Sequence, residues 1–278
     1  MAQSKPSYLK ALGKTPLPPT IEAGGKTYSF VQTFKNDFFA ITSLYDGPAG
    51  RVILKVQRQA PFLLIPMRWA GRLLAAREWH SMSRLQGIPG VPKLIDRWGA
   101  TGLIREFVEG RTLAEALPPP LLRGAEGDHS GSLKGGHVAR VNDEFHPRLR
   151  ELVDAIHARE MAYVDLEKPG NVLVGEDGRP YLFDFQIAWY WPRRYGGRLW
   201  PMRVLLRRLQ AGDLYHLIKL QRRSRPDQLS PEVLRASYHK PWYIRLHNTL
   251  TRPFTRLRRK ILRKLDPHRA PGERGMVD

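Results

Sequence analysis

Asp165, Asn171 and Asp184 are the residues in this 278-residue sequence whose types and spacing bear most directly on chemistry. Asp165 and Asn171 lie on a loop that runs into the apolar stretch Val172-Leu173-Val174. A turn at Glu176-Asp177-Gly178 follows, and Tyr181-Leu182-Phe183 then leads into Asp184. Asp-Gly between two apolar runs is a strong hairpin signal, and such a hairpin returns Asp184 to the end of the ribbon that carries Asn171. A carboxylate and an amide oxygen meeting there suit Mg²⁺, a hard cation that takes oxygen ligands and shares them with phosphate. Asp165, just ahead of the hairpin, is free to orient a hydroxyl nucleophile.

The same residues carry a family resemblance. Tyr163-Val164-Asp165-Leu166, then Lys168, Pro169 and Asn171, and later Asp184-Phe185-Gln186, resemble in order and separation the catalytic loop and the Asp-Phe-Gly metal loop of the protein-kinase superfamily. Tyr163 stands where that family has histidine, one extra residue separates Asp165 from Asn171, and Gln186 replaces the glycine. These departures resemble an atypical bacterial branch that includes lipopolysaccharide core (Kdo and heptose) kinases and RIO-like kinases. The resemblance spans roughly residues 28–220. It implies ATP and Mg²⁺ as cofactors, Asp165 as the group that orients or deprotonates the acceptor hydroxyl, Lys168 beside the transferring phosphoryl, and Asn171 and Asp184 as metal ligands.

Upstream, Arg51-Val52-Ile53-Leu54-Lys55-Val56 reads as a strand with a lysine in its apolar run, which is costly unless the ammonium meets an anion. A lysine snorkelling from an edge strand is the alternative. The resemblance gives Lys55 the α and β phosphates of ATP and makes Glu78, on a helix expected over residues 72–85, its partner. It also likens Glu106-Phe107-Val108-Glu109-Gly110 to the hinge between the lobes, whose backbone, with Glu106 and Val108 as its candidates, pairs with adenine. The family's glycine-rich loop is missing: residues 33–39 hold no glycine, which leaves backbone amides and Lys35 to face phosphate. A helix is expected over 145–158, with Leu149, Leu152, Val153 and Ile156 as its buried stripe. His157 on that helix reads as structural. Asp213 reads most simply as a helix N-cap, with bracing of the catalytic loop as the alternative.

The fold expected is α+β and bilobal, protein-kinase-like, with a small β-rich N-terminal lobe and a larger helical C-terminal lobe. Residues 1–27 read as a flexible arm, 28–108 as the first lobe and 109–250 as the second, with a mobile loop at 118–141; residues 251–278 form a basic amphipathic helix and tail. Within that helix, residues 253–265, Phe254, Leu257, Ile261, Leu262 and Leu265 share one face and arginines and lysines cover the rest. Such a helix suits an anionic membrane surface or packing on the second lobe. The apolar insertion at 60–72 reads as core, with a membrane surface as the alternative.

Net charge is +20, and residues 193–278 hold 22 Lys and Arg against 6 Asp and Glu. A field of that sign draws polyanions. Nucleic acid is disfavoured as the partner because no zinc-ligand spacing or RNA-recognition motif accompanies the charge. The absence of cysteine fits a reducing cytoplasm, with peripheral attachment to the inner face of the membrane compatible. Taken together these features favour an ATP-dependent kinase acting on a lipopolysaccharide core sugar or other glycolipid. A protein serine/threonine kinase is the runner-up, and a non-catalytic kinase-like binding module is the reading from a different class.

Overall fold

Residues 20–57 are cut by turns at Gly24-Gly25, Asp37-Phe38-Phe39 and Pro48-Ala49 into runs that fold as four consecutive antiparallel strands: β1 (Thr20–Ala23), β2 (Lys26–Asn36), β3 (Ala40–Gly47) and β4 (Gly50–Gln57). The protein is seen here as a computed structural model that describes residues 6–62, 65–117, 141–191 and 200–239. It is mixed α+β and divides into two compact units, Met1–Val108 with Asp184–Ala188, and Glu109–Phe183 with Trp189–Asp278. Gly24 and Gly25 turn β1 into β2 with φ of 54° and 73°, the positive pair that a two-residue hairpin demands.

In the first unit, β5 (Leu94–Trp98) and β6 (Gly102–Glu106) complete a six-stranded antiparallel sheet ordered β1-β2-β3-β4-β6-β5. The sheet curls, and its two edge strands meet where the Gly24 N–H donates to Asp96 Oδ2 at 3.2 Å. Inside the curl Leu12, Ile21, Tyr28, Ile41, Tyr45, Val52, Leu54, Val56 and Ile104 form one apolar cluster. Because strand side chains alternate, Ile53, Lys55 and Gln57 take the opposite face of β4, which α1 (Arg68–Leu85) covers. Strand β4 is therefore central and buried on both faces, and the edge-strand reading of Lys55 is wrong.

The flexible arm at 1–27 needs correction for residues 6–27. Leu9, Ala11 and Leu12 are buried, and Thr20–Ala23 is a sheet strand. A buried arginine ties the segment down. The Arg58 guanidinium donates to the carbonyls of Tyr8 at 2.9 Å, Phe38 at 2.8 Å and Pro61 at 2.9 Å, and lies 3.9 Å over the Phe38 ring. A lone arginine beyond a strand gives no sequence signal of such partners, since all of them are backbone carbonyls. Helix α1 crosses this knot closely: a Cβ on Gly71 would fall 2.0 Å from the Arg58 carbonyl oxygen. Gly71→Ala is expected to lower stability by about 2–3 kcal/mol in urea unfolding, since backbone must shift to admit the methyl.

In the second unit, β7 (Gly110–Thr112), β9 (Val172–Gly175) and β10 (Pro180–Leu182) pair in the order β10-β9-β7, while β8 (Met161–Ala162) pairs with β11 (Trp189–Tyr190). Between them come α2 (Leu113–Ala116), opened by a Thr112–Glu115 capping box, and α3 (Phe145–Ala158). Then follow α4 (Trp200–Ser224) and the short α5 (Pro231–Ala236). The stripe of α3, Leu149, Leu152, Val153 and Ile156, is buried as the periodicity requires. The loop expected at 118–141 lies, but for Val141, outside the described residues, and the amphipathic helix at 253–265 lies wholly outside them. Among the described residues no helix is long and apolar enough to cross a membrane.

One buried pair makes stability depend on acid. His146 Nε2 lies 2.6 Å from Ser224 Oγ, whose own hydrogen goes to the Leu220 carbonyl at 2.9 Å, so the ring donates through Nε2. Its Nδ1 is buried with no partner. Burial, with Arg225 adding to it, pushes the imidazole from 6.5 down to about 4. The unfolded chain therefore binds the proton first, and stability present above pH 6.5 is lost as pH falls towards 4. About 2 kcal/mol is expected to vanish between pH 6.5 and about pH 4.5, and His146→Gln is expected to remove that part of the slope in urea titrations at each pH.

Candidate functional site

The first unit holds a buried cation between two carboxylates. Lys55 Nζ lies 2.8 Å from Glu78 Oε1 and 2.8 Å from Asp184 Oδ1. Glu78 reaches it from the buried face of α1, and its second oxygen accepts from Gln57 Nε2 at 3.0 Å. Gln57 was not anticipated, although it lies two residues after Lys55 on the same strand face. Burial works against the Lys55 ammonium, but Asp184 and Glu78 more than offset it and hold its pKa above the ordinary lysine value. Burial pushes Glu78 up against the pull of Lys55. Asp184 itself caps a single 3-10 turn, Phe185–Ile187, whose Phe185 is fully buried, and sits in the left-handed region at φ 69°. Aspartate tolerates that conformation better than most residues.

The loop expected to cover phosphate is differently built. The Asp37 carboxylate accepts the amides of Phe39 and Ala40 at 2.8 Å each and pairs with Lys35 at 2.9 Å. The amides and lysine that were expected to face phosphate are thus engaged by the loop's own carboxylate. At the expected hinge, the Glu106 N–H donates to the Lys93 carbonyl at 2.9 Å and the Phe107 N–H to the Arg51 carbonyl at 3.1 Å, so the Glu106 amide serves the sheet. Val108 ends the first unit. Phe107 also stacks on Phe34, with centroids 6.0 Å apart.

The second unit holds the loop of Asp165. Asp165 Oδ2 accepts from Asn171 Nδ2 at 2.7 Å and from Lys168 Nζ at 2.8 Å, so the extra residue in this loop does not keep Asn171 from Asp165. The Asn171 amide nitrogen is thus engaged on Asp165. The hairpin closes as expected, with Leu182 opposite Val172 and the Phe183 N–H donating to the Asn171 carbonyl at 3.4 Å; Asp184 is the next residue along the chain.

Beneath the loop lies Asp213, 1 % exposed, in the interior of α4 rather than at an N-cap. Its carboxylate accepts the N–H groups of Tyr163 and Val164 at 2.8 Å each, and His157 Nε2 lies 3.0 Å away. The alternative role considered for Asp213 is the observed one, and the neighbour that the sequence did not show for His157 is Asp213 itself. Val164 needs this support: φ of 72° is an outlier for a β-branched residue. Tyr163 is buried, and its hydroxyl donates to the Phe183 carbonyl, tying the start of the loop to the end of β10.

The structure thus unites Lys55 with Glu78 and Asp184 in one unit, and Asp165 with Lys168 and Asn171 in the other. Among the described residues no three His, Cys, Asp or Glu side chains cluster to hold a metal. Comparison with protein-family models and with curated proteins returns no match for this chain.

Proposed function

We propose that the chain is an ATP-dependent phosphotransferase of the protein-kinase-like class, with the first unit as small lobe and the second as large lobe. The observation that carries the reading is the pairing of Lys55 with both Glu78 and Asp184, a buried cation that is matched by chemistry and not by packing. A purely structural ion pair seldom improves on apolar packing, so its retention in a core favours function. Asp165 would accept the proton of an acceptor hydroxyl as the γ-phosphoryl passes to that oxygen and ADP leaves. Lys168 would offset the moving charge, and Lys55 would hold the α and β phosphates.

In this reading Asp184 and Asn171 would each offer an oxygen, carboxylate and amide, of the hard kind Mg²⁺ takes, with water and phosphate supplying the rest of its shell. When bound, the ion would screen the phosphate charge. The acceptor that the basic charge favours is a glycolipid sugar such as a lipopolysaccharide core residue, with a protein hydroxyl next, and the reading places the chain in the cytoplasm. Asp37 favours a second reading. A carboxylate already seated on the Phe39 and Ala40 amides suits a non-catalytic binding module that has given up phosphate contacts there.

Phosphate transfer from labelled ATP by wild type and Asp165→Ala, with lipopolysaccharide extract or a generic protein as acceptor, separates the readings. Transfer lost on Asp165→Ala by about a thousandfold supports the kinase, and the stimulating acceptor identifies its substrate class. No transfer and no thermal stabilisation of wild type by Mg·ATP would leave the binding module.

A further inference from the structure

The first turns of α1 expose what a core helix hides. Trp69 and Leu73 are 64 % and 53 % exposed, as is Ile65 at 56 % just ahead of the helix, while Gly71, Ala75, Glu78 and Met82 face inward. Ala76 continues the exposed stripe, and Arg68 and Arg72 flank it. Between Asp46 and Glu78 the sequence has no acidic residue, and Glu78 is buried on Lys55. The insertion at 60–72 is thus not core along this face.

The pattern recurs in the second unit. At the start of α4, Trp200, Val204 and Leu205 are 68 %, 43 % and 42 % exposed, and Arg203, Arg207 and Arg208 lie exposed among them. No acidic residue occurs between Asp184 and Asp213. Both helices therefore begin with Trp-x-x-Arg followed by an aliphatic residue, Leu73 in one and Val204 in the other, all open to solvent.

From the α1 face we infer a site that docks on the surface of an anionic lipid bilayer, with Trp69 and Leu73 entering the interface and Arg68 and Arg72 on lipid phosphates; the start of α4 carries the same chemistry. Tryptophan beside aliphatic side chains and arginine is the composition of interfacial helices, since the indole spans the boundary between headgroup and acyl chain. Two arginines near such a surface raise partitioning about thirtyfold. Nucleic acid would use the arginines but offers nothing to Ile65 and Leu73. An acidic protein would have to offer a matching apolar pocket beside its carboxylates, whereas the interface of an anionic bilayer supplies phosphate and apolar surface together. This inference does not rest on phosphotransfer.

The chain has no cysteine, so Ala76→Cys accepts a single environment-sensitive NBD label beside Trp69 and Leu73 without replacing either. Vesicles of phosphatidylcholine with roughly 30 mol % phosphatidylglycerol are expected to brighten and blue-shift the label several-fold, and pure phosphatidylcholine to leave it nearly unchanged. The same label at Glu22→Cys, an exposed position on the outer face of β1, is expected not to respond. Trp69→Ala with Leu73→Ala is expected to raise the lipid needed for half-maximal response by about tenfold or more. The inference is overturned if the label at position 76 stays dark on anionic vesicles, even should the protein sediment with them through another segment. It is equally overturned if the double variant responds like the parent, or if an oligonucleotide or rising protein concentration alone produces the signal.

Discussion

Lys55→Met is expected to abolish the proposed ATP turnover and to lower stability by about 3 kcal/mol, because it leaves Glu78 and Asp184 without their shared cation. Glu78 is 1 % exposed, and Gln57 alone would remain as its donor. The folded chain would then take up a proton on Glu78 above the ordinary glutamate value of 4.5. With more protons bound in the folded than in the unfolded state, stability of the variant falls as pH rises through that range, which urea titrations at several pH values would read. Adding Glu78→Leu to Lys55→Met is expected to restore much of the stability and none of the turnover. If the double variant regained turnover, the triad would be structural, and if Lys55→Met were as stable as wild type at neutral pH, the burial argument would fail.

Asp213→Ala is expected to cost about 3–5 kcal/mol and to open the loop that carries Asp165. The change strips the acceptor from the buried Tyr163 amide, the half-buried Val164 amide and His157 at once. It also releases Val164 from a backbone conformation that costs about 1–3 kcal/mol to hold. Hydrogen exchange at Tyr163 and Val164 is expected to accelerate by orders of magnitude more than at the Val172 and Val174 amides of β9. Val164→Gly, which removes the steric cost of positive φ, is expected to be tolerated or slightly stabilising in the parent and to gain nothing further in the Asp213→Ala background, where the loop has already relaxed. A loop unchanged in exchange after Asp213→Ala would show that the brace is redundant.

Local signals carried much of this structure. Glu176-Asp177-Gly178 announced the β9–β10 hairpin, and the spacing of Leu149, Leu152, Val153 and Ile156 marked α3 along its full length. The lysine in an apolar strand called for an anion, and it has two. What escaped depends on partners distant in sequence. Arg58 is satisfied by carbonyls of Tyr8, Lys10, Phe38 and Pro61, and carbonyls look alike whatever the residue, so the order of the amino-terminal segment had no visible cause. Asp213 lies 50 residues from Tyr163, and nothing local distinguishes a buried helix aspartate from a cap. Asp37 gives no local sign either, because a carboxylate that accepts the amides of its own turn has the same sequence signature as any surface acid.

The curled sheet of the first unit has a consequence for recognition. A flat sheet offers its border strands as templates on which an extended peptide, or another copy, can add a strand through main-chain hydrogen bonds. Here the two border strands, β1 and β5, are turned towards each other, with Asp96 holding the Gly24 amide. Strand addition is disfavoured at that seam. At that seam recognition falls to side chains on the faces of the sheet, where sequence can vary without disturbing the ladder beneath.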